Sequence, residues 1–401
     1  MRIVPDLDNG RFILTPVFQN NRKGLVFKAT LLSGEGEELN SAKSLPVNGV
    51  PIPIDIKNPR EWSPDDPYLY KLRYELIENN EVVDKVDSYA GLRKFHIEGN
   101  RFYLNNKPIF LRLVLDQGFY PDGIWTAPDD KDLKADIVRS MAIGFNGARL
   151  HQKVFEERFH YWADKLGYLT WGEFYDWEIF SPNHEGMKNL QREWVEVVLR
   201  DLNHPSIITW TPFNERAETT KESNRLAVQT VIDITRAIDP TRPVNDASGY
   251  VHVDTDIFSV HDYDQKTESF FERYDSLSAV TKTAYLLYPE LSEPYDRQPY
   301  VVDEYGGTHW SEDFANQSPH LGDRVWEWGK GKKAEEIEKT IEALTQILLN
   351  NPEISGFCYT QLTDVEQEIN GLYTYDRKPK FNNANLKRIF SATAAIERIK
   401  Y

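Results

Sequence analysis

One cysteine among 401 residues, Cys358, leaves the chain without an internal disulfide and without a thiolate metal site. It lies in the apolar run GFCYTQL and reads as a packed thiol rather than a nucleophile. Long apolar runs are missing as well. No stretch approaches the roughly 18 residues of a membrane span. The N-terminus, MRIVPDLDNGRF, has neither an apolar core nor a small-residue cleavage site. The expectation is a cytoplasmic protein, or a periplasmic or secreted one if an upstream segment is removed. Positive charge is in deficit: 47 Lys and Arg against 63 Asp and Glu give a net charge of −16. That argues against nucleic acid as a partner, because duplex binding rests on neutralising phosphates, and against anionic membrane surfaces. Aromatic rings, by contrast, abound, with 10 Trp, 21 Tyr and 20 Phe. Flat rings suit the C–H faces of sugars, but they also fill cores.

The chain divides into two regions. Residues 1–93 read as short strands separated by turns: RFILTPVFQ, LVFKATLLS, PIPIDI, LYKLRYELI and VVDKVDSYA. Tyr70, Leu72, Tyr74 and Leu76 alternate and would share one face, as in a small antiparallel β-sandwich. From residue 94 to 401 the rhythm changes to short apolar runs alternating with amphipathic stretches. Candidate strands are 109–115, 145–150, 168–173, 207–214, 244–248, 257–263, 300–306 and 356–362. Helices are expected over 131–143, 155–165, 187–202, 221–238, 334–350 and 383–399. Eight strands interleaved with helices point to an α/β fold of the (β/α)8 TIM-barrel type. No Gly-rich phosphate turn follows a strand, so a dinucleotide-binding sheet is unsupported.

In such a barrel the active site lies at the C-terminal strand ends. Those ends carry Asp116, His151, Glu173, Asn214, Glu215, Asp246, His261, Tyr263, Glu304, Gln361 and Asp364. Glu215 closes IITWTPFN and Glu304 sits within YVVDEYGG; a carboxylate so close to buried aliphatics must be paired or functional. Cleaving an acetal needs a proton on the leaving oxygen and negative charge opposite the developing oxocarbenium ion, which two carboxyls can supply. On position alone, the same two residues serve equally well as ion-pair partners of loops.

Longer motifs tip this balance. WSPDDPYLYKLRYEL followed by GLRKF, then NGARLHQ, WTPFNE, SVHDYDQ, DEYGG and YTQLTDVEQEINGLYTYDRKPKF, run in order along the chain. On these the sequence resembles glycoside hydrolase family 2, the β-galactosidases, β-glucuronidases and β-mannosidases. The resemblance implies an immunoglobulin-like sandwich ahead of a TIM barrel and a retaining exo-β-glycosidase. It implies Glu215 as acid/base and Glu304 as nucleophile, with His151, Asn214, His261 and Tyr263 lining the sugar pocket. Asp116 and Tyr359 are carried over on strand-end position more than on motif identity. Arg149, a rigid fork of donors, is expected to hold a carboxylate rather than sugar. His184, His204 and His309 read as solvent or packing residues.

The pattern departs from the family at three places. The usual jelly-roll domain ahead of the sandwich is absent from this sequence. Leu113 stands where a glycine is usual, so it either crowds the barrel mouth or points into the core. Glu368-Ile369-Asn370-Gly371-Leu372 lacks the lysine of the glucuronidases' Asn-x-Lys motif, which argues for a neutral sugar. The expected function is therefore a β-galactosidase, with β-mannosidase or β-glucuronidase as alternatives. A truncated carbohydrate-binding or assembly protein is the rival from another class. A carbohydrate is the expected partner, no cofactor or metal is expected, and oligomeric state is not readable.

Overall fold

The computed structural model describes residues 1–399 except 20, 178–182, 217–221, 279–282, 312–327 and 331–332. Its first region contains β1 (Arg2–Asp6), β2 (Arg11–Thr15), β3 (Leu25–Leu32), β4 (Glu38–Ser44), β5 (Ile52–Asp55), β6 (Tyr70–Glu78) and β7 (Glu81–Ala90). They form two antiparallel sheets, β1-β2-β5 and β4-β3-β6-β7. Period-two alternation turns Phe12, Leu14, Ile52 and Ile54 of one sheet against Phe27, Ala29, Leu31, Tyr70, Leu72 and Tyr74 of the other. Leu76 joins that core only partly buried.

A small antiparallel sheet follows: β8 (Phe95–Glu98), β9 (Arg101–Leu104) and β10 (Lys107–Ile109). Its Phe95, Phe102 and Leu104 pack in one cluster with Leu111, Leu115, Leu169, Trp171, Ile208, Val301 and Cys358, closing the barrel's floor.

The barrel strands are β11 (Leu111–Asp116), β12 (Gly147–Leu150), β13 (Leu169–Glu173), β14 (Ile207–Thr211), its continuation β15 (Phe213–Asn214), β16 (Ala247–Ser248), β17 (Phe258–Asp262), β18 (Tyr300–Gly306) and β21 (Ile354–Thr360). Beyond β18 a short parallel pair, β19 (Thr308–His309) and β20 (Trp328–Lys330), precedes the last strand. Seven strands are hydrogen-bonded in the order β14-β13-β12-β11-β21-β18-β17, with parallel pairing throughout. β16 fills the remaining gap, pairing with β15 on one side. On the other, Asn245 Nδ2 and the Gly249 amide each donate to Ser259 Oγ at 3.1 Å. Buried on both faces, these strands read as near-continuous apolar runs. Helices 130–142, 157–166, 184–201, 222–238, 267–275, 334–350 and 383–390 cover the outside. None among the described residues is long and apolar enough to cross a membrane.

Leu113 points into the barrel core, fully buried. It pairs with Gly147, where an added Cβ would come within 2.8 Å of Leu113 Cδ2. The leucine thus fills space that the neighbouring glycine leaves, and it does not crowd the mouth. The expected terminal helix over 383–399 is in fact two pieces: it stops at Phe390 and resumes as a single 3-10 turn over Ala395–Arg398.

Candidate active site

Alternation along the barrel strands sets which side chains meet. In β12, Ala148 and Leu150 join the outer core beneath the helices, which leaves Arg149 facing in. In β13, Leu169 and Trp171 face in, and Glu173 follows them. In β18, Tyr300, Val302 and Tyr305 face out. Three steps along β18 from Val302 to Tyr305 match only two along β21, from Phe357 to Tyr359. This bulge places two consecutive acids, Asp303 and Glu304, on the interior side. On β17 the same irregularity sets His261 opposite Glu304.

Arg149 is the hub of the cluster. Its guanidinium donates to Glu173 Oε2 at 2.6 Å, Glu304 Oε1 at 2.7 Å and Asn214 Oδ1 at 2.5 Å, fully buried. The expectation that it holds carboxylates matches this geometry. His151 Nδ1 lies 2.9 Å from Glu173 Oε1. His261 Nδ1 lies 2.7 Å from Glu215 Oε1, while its Nε2 faces Ser248 Oγ at 3.1 Å. The Tyr263 hydroxyl donates to Glu304 Oε2. Glu215 sits at φ 49°, in the left-handed region, with its backbone N–H donating to Ser248 O at 2.9 Å.

The two glutamates sit in unlike surroundings. Burial alone would raise the Glu304 carboxyl, but the His261 and Arg149 charges, with His151 and the Tyr263 hydroxyl, outweigh it and hold the group at about 2. Glu304 is therefore an anion at any ordinary pH. The Glu215 side chain is more open, 17% exposed against 6% for Glu304. Its neighbours are His261 and Tyr250, whose hydroxyl faces it. Burial opposes a charge on His261, yet Glu304, Asp303 and Glu215 together raise its pKa.

Glu215, His261 and Glu304 each bring one ligand atom within 4.8 Å of the others, a spacing open to a metal ion. The Arg149 guanidinium already occupies Glu304 Oε1, and its fixed positive charge opposes a cation at that spot.

Of the residues singled out in the sequence, Glu215, Glu304, Asn214, His151, His261 and Tyr263 gather here. Two do not, and both are corrections. Asp116 falls on the outward side of β11, after Val114, where it accepts from the Gly118 amide at 2.9 Å behind the strand. Burial and nearby Asp136 push it up to about 6. Tyr359 packs outward against Phe390, ring centroids 5.4 Å apart. The inward positions belong to their neighbours. Gln117 donates to Gln361 Oε1 and Glu368 Oε2, and Thr360 Oγ1 meets the Tyr263 hydroxyl at 3.3 Å. Counting alternation from Leu111 through Leu113 and Leu115 points to Gln117. Tyr250, Ser248 and Asp303 gave no periodic signal. Asp262 and Asp264, crowded in sequence, are held by Arg273 as ion pairs.

A barrel whose upper rim gathers buried carboxylates around one arginine belongs to the broad class of TIM-barrel enzymes. Family comparison is more specific: residues 3–93 match glycosyl hydrolases family 2, and residues 95–395 match the TIM barrel domain of that family. The chain belongs to glycosyl hydrolases family 2. It is 30% identical over 52% of its length to a β-galactosidase of Thermoanaerobacter pseudethanolicus, covering 28% of that protein. It is 29% identical over 49% of its length to a β-glucuronidase of Bacteroides fragilis, covering 29% of that one. The chain thus spans less than a third of either relative. A solved β-glucuronidase from Ruminococcus gnavus superposes with a TM-score of 0.78 at 20% identity, over 97% of this chain and 66% of the other, and so shares the fold.

Proposed function

We propose that this chain is a retaining exo-β-glycosidase in which Glu304 is the nucleophile and Glu215 the general acid/base. The observation that carries the reading is the approach of the two glutamates. One oxygen of each lies within 4.8 Å of the other, although they close different strands. Retaining enzymes hold their carboxyls about 5–5.5 Å apart, whereas inverting ones leave roughly 6.5–9.5 Å for a water. Glu304, ionised and fixed by Arg149 and Tyr263, attacks the anomeric carbon. Glu215, more open and bonded to His261, gives its proton to the leaving oxygen and later takes one from water. Asn214, oriented by Arg149, faces the same space with its amide.

The sugar we propose is neutral, a β-galactoside first. The wall beyond β21 is built of amides and carboxylates: Gln361 Nε2 donates to Glu368 Oε2 and Asn370 Oδ1, both at 2.7 Å. Of the cations in the segment that follows, Lys380 is buried and engaged with Asp364 Oδ1 at 2.7 Å and Ile369 O at 3.2 Å, Arg377 is held by Asp136 Oδ2 at 3.1 Å, and Lys378 pairs with Asp376. A uronate there would meet like charge. The names of the Bacteroides and Ruminococcus proteins favour a second reading, β-glucuronidase.

A parallel screen of chromogenic β-galactoside, β-glucuronide, β-mannoside and β-glucoside tests both. The galactoside should be cleaved with the highest kcat/KM. A faster glucuronide would replace the sugar and leave the mechanism standing. In the same assay, Glu215→Ala should retain turnover on a good aryl leaving group and gain from azide, whereas Glu304→Ala should not. Equal, azide-insensitive losses would contradict the roles. Binding without turnover of any substrate would make the chain a carbohydrate-binding protein instead.

A further inference from the structure

Of the four large aromatic side chains that stand exposed on the described surface, Phe271 lies on the helix over 267–275 and the other three lie on loops. Trp125 is 45% exposed, Tyr175 38% and Trp177 60%. Scattered apolar residues on a surface are ordinary, but two of these rings meet, and the third, Trp177, follows Tyr175 by two residues on the same loop. Trp125 and Tyr175 lie 6.3 Å apart between centroids, and Phe119 lies 6.3 Å from Trp125. They come from two loops, one after β11 and one after β13, both on the barrel face that carries the candidate active site.

Both loops are fixed in place. Tyr120 and Ile124 exchange backbone hydrogen bonds of 2.7 and 2.9 Å, and Ile124 is held at φ 53°. That left-handed conformation is costly for a β-branched residue, and it sets the position of Trp125. Arg377 lies over the Tyr120 ring at 4.2 Å and donates to Phe119 O at 2.5 Å. The second loop is tied to the acid/base strand. Gln152 Oε1 accepts from the Asp176 and Trp177 amides at 2.9 and 3.3 Å. Asp176 Oδ1 accepts from Gln152 Nε2 at 2.7 Å and from the Asn214 amide at 3.1 Å. The backbone of Trp177 is thus linked through Gln152 and Asp176 to the residue preceding Glu215.

We propose that Trp125, Tyr175 and Trp177 form a binding platform for the leaving-group side of the substrate, and that its occupant is a second, neutral β-linked pyranose. This rests on the assignment of Glu215 as acid/base. The acid stands on the leaving-group side of the scissile bond, and the Tyr175–Trp177 loop is pinned to its strand. Flat rings stack on pyranose C–H faces with little ordering cost. Glu193, which accepts from the Tyr175 hydroxyl, disfavours an anionic unit beside that ring. The natural substrate class is then a β-linked oligosaccharide and not a glycoside of a small alcohol.

The test compares β-1,4-galactobiose with methyl β-galactoside. Trp177→Ala and Trp125→Ala, both at exposed positions, should each lower kcat/KM on the biose by about tenfold and change the methyl glycoside by less than about twofold. Parallel losses on both substrates would overturn the platform. A second arm needs no turnover. Tryptophan fluorescence of Glu304→Gln, titrated with β-1,4-galactobiose, should report tighter binding than Glu304→Gln/Trp177→Ala, and equal affinities would overturn the platform. A chain that cleaves neither substrate but shows that difference refutes the catalytic reading alone.

Discussion

Glu304 would be expensive to ionise in an apolar barrel, and the residues around it exist in a form that reverses this cost. Arg149 and His261 supply charge and Tyr263 supplies a hydrogen bond, so the carboxyl sits at about 2. Removing the hydroxyl takes away a donor that favours the anion, so Tyr263→Phe should raise this pKa. A nucleophile must be ionised, so activity is lost as pH falls through its pKa. The acid limb of the kcat/KM profile should therefore move to higher pH in Tyr263→Phe, by about one unit. An unmoved limb with reduced kcat would mean that the hydroxyl only positions substrate. At this scale the motif residues were legible because each strand end reads directly from an apolar run. Asp116 and Tyr359 misled for one reason. A strand end has two faces, and only counting from Leu111 or from buried Cys358 tells which face is inward.

Elements carry what single residues cannot show. The bulge in β18 is invisible in YVVDEYG, because an extra residue in a ladder has no compositional signature; yet it brings Glu304 to the interior beside Asp303. β1 and β4 were missed for another reason. Both are edge strands, and β4 reads ELNSAKS with five of its seven residues exposed, leaving no apolar alternation to find. The eight barrel strands were legible since burial on both faces writes itself as continuous apolar sequence. After β16 the chain must turn beneath His261. Gly249 does this at φ 84°, and a Cβ there would lie 2.1 Å from the His261 ring. Gly249→Ala should therefore cost about 1–3 kcal/mol in backbone strain and displace the imidazole from Glu215. Urea unfolding and kcat measure the two parts. Wild-type stability together with wild-type kcat would show that the turn is less constrained than its geometry indicates.

The whole molecule depends on contacts that no periodicity announces, because each is a single residue reaching across. From the sandwich side, Trp62 donates through its indole to Asp164 O at 2.7 Å, and Arg93 donates to Pro205 O and Ile207 O at 3.0 and 2.7 Å. The Tyr89 hydroxyl donates to Asp164 Oδ2 at 2.8 Å, and the same oxygen lies 2.6 Å from His204 Nδ1. His204, read from sequence as a packing or solvent residue, thus stands at the junction of sandwich and barrel. Burial opposes its charge, as does Arg242, but Asp164 and then Asp201 prevail and raise its pKa. A histidine whose folded pKa exceeds its unfolded value binds protons more tightly when folded. Its stabilisation is complete below the unfolded value of about 6.5 and disappears as pH climbs through the folded one. The difference in urea midpoint between the unaltered chain and His204→Gln should consequently be larger near pH 6 than near pH 9. That sign is specific to the charged pair, since lost packing alone would give the same gap at both. A gap that grows with pH would mean that His204 is buried neutral and that Tyr89 and Trp62 hold the junction without it.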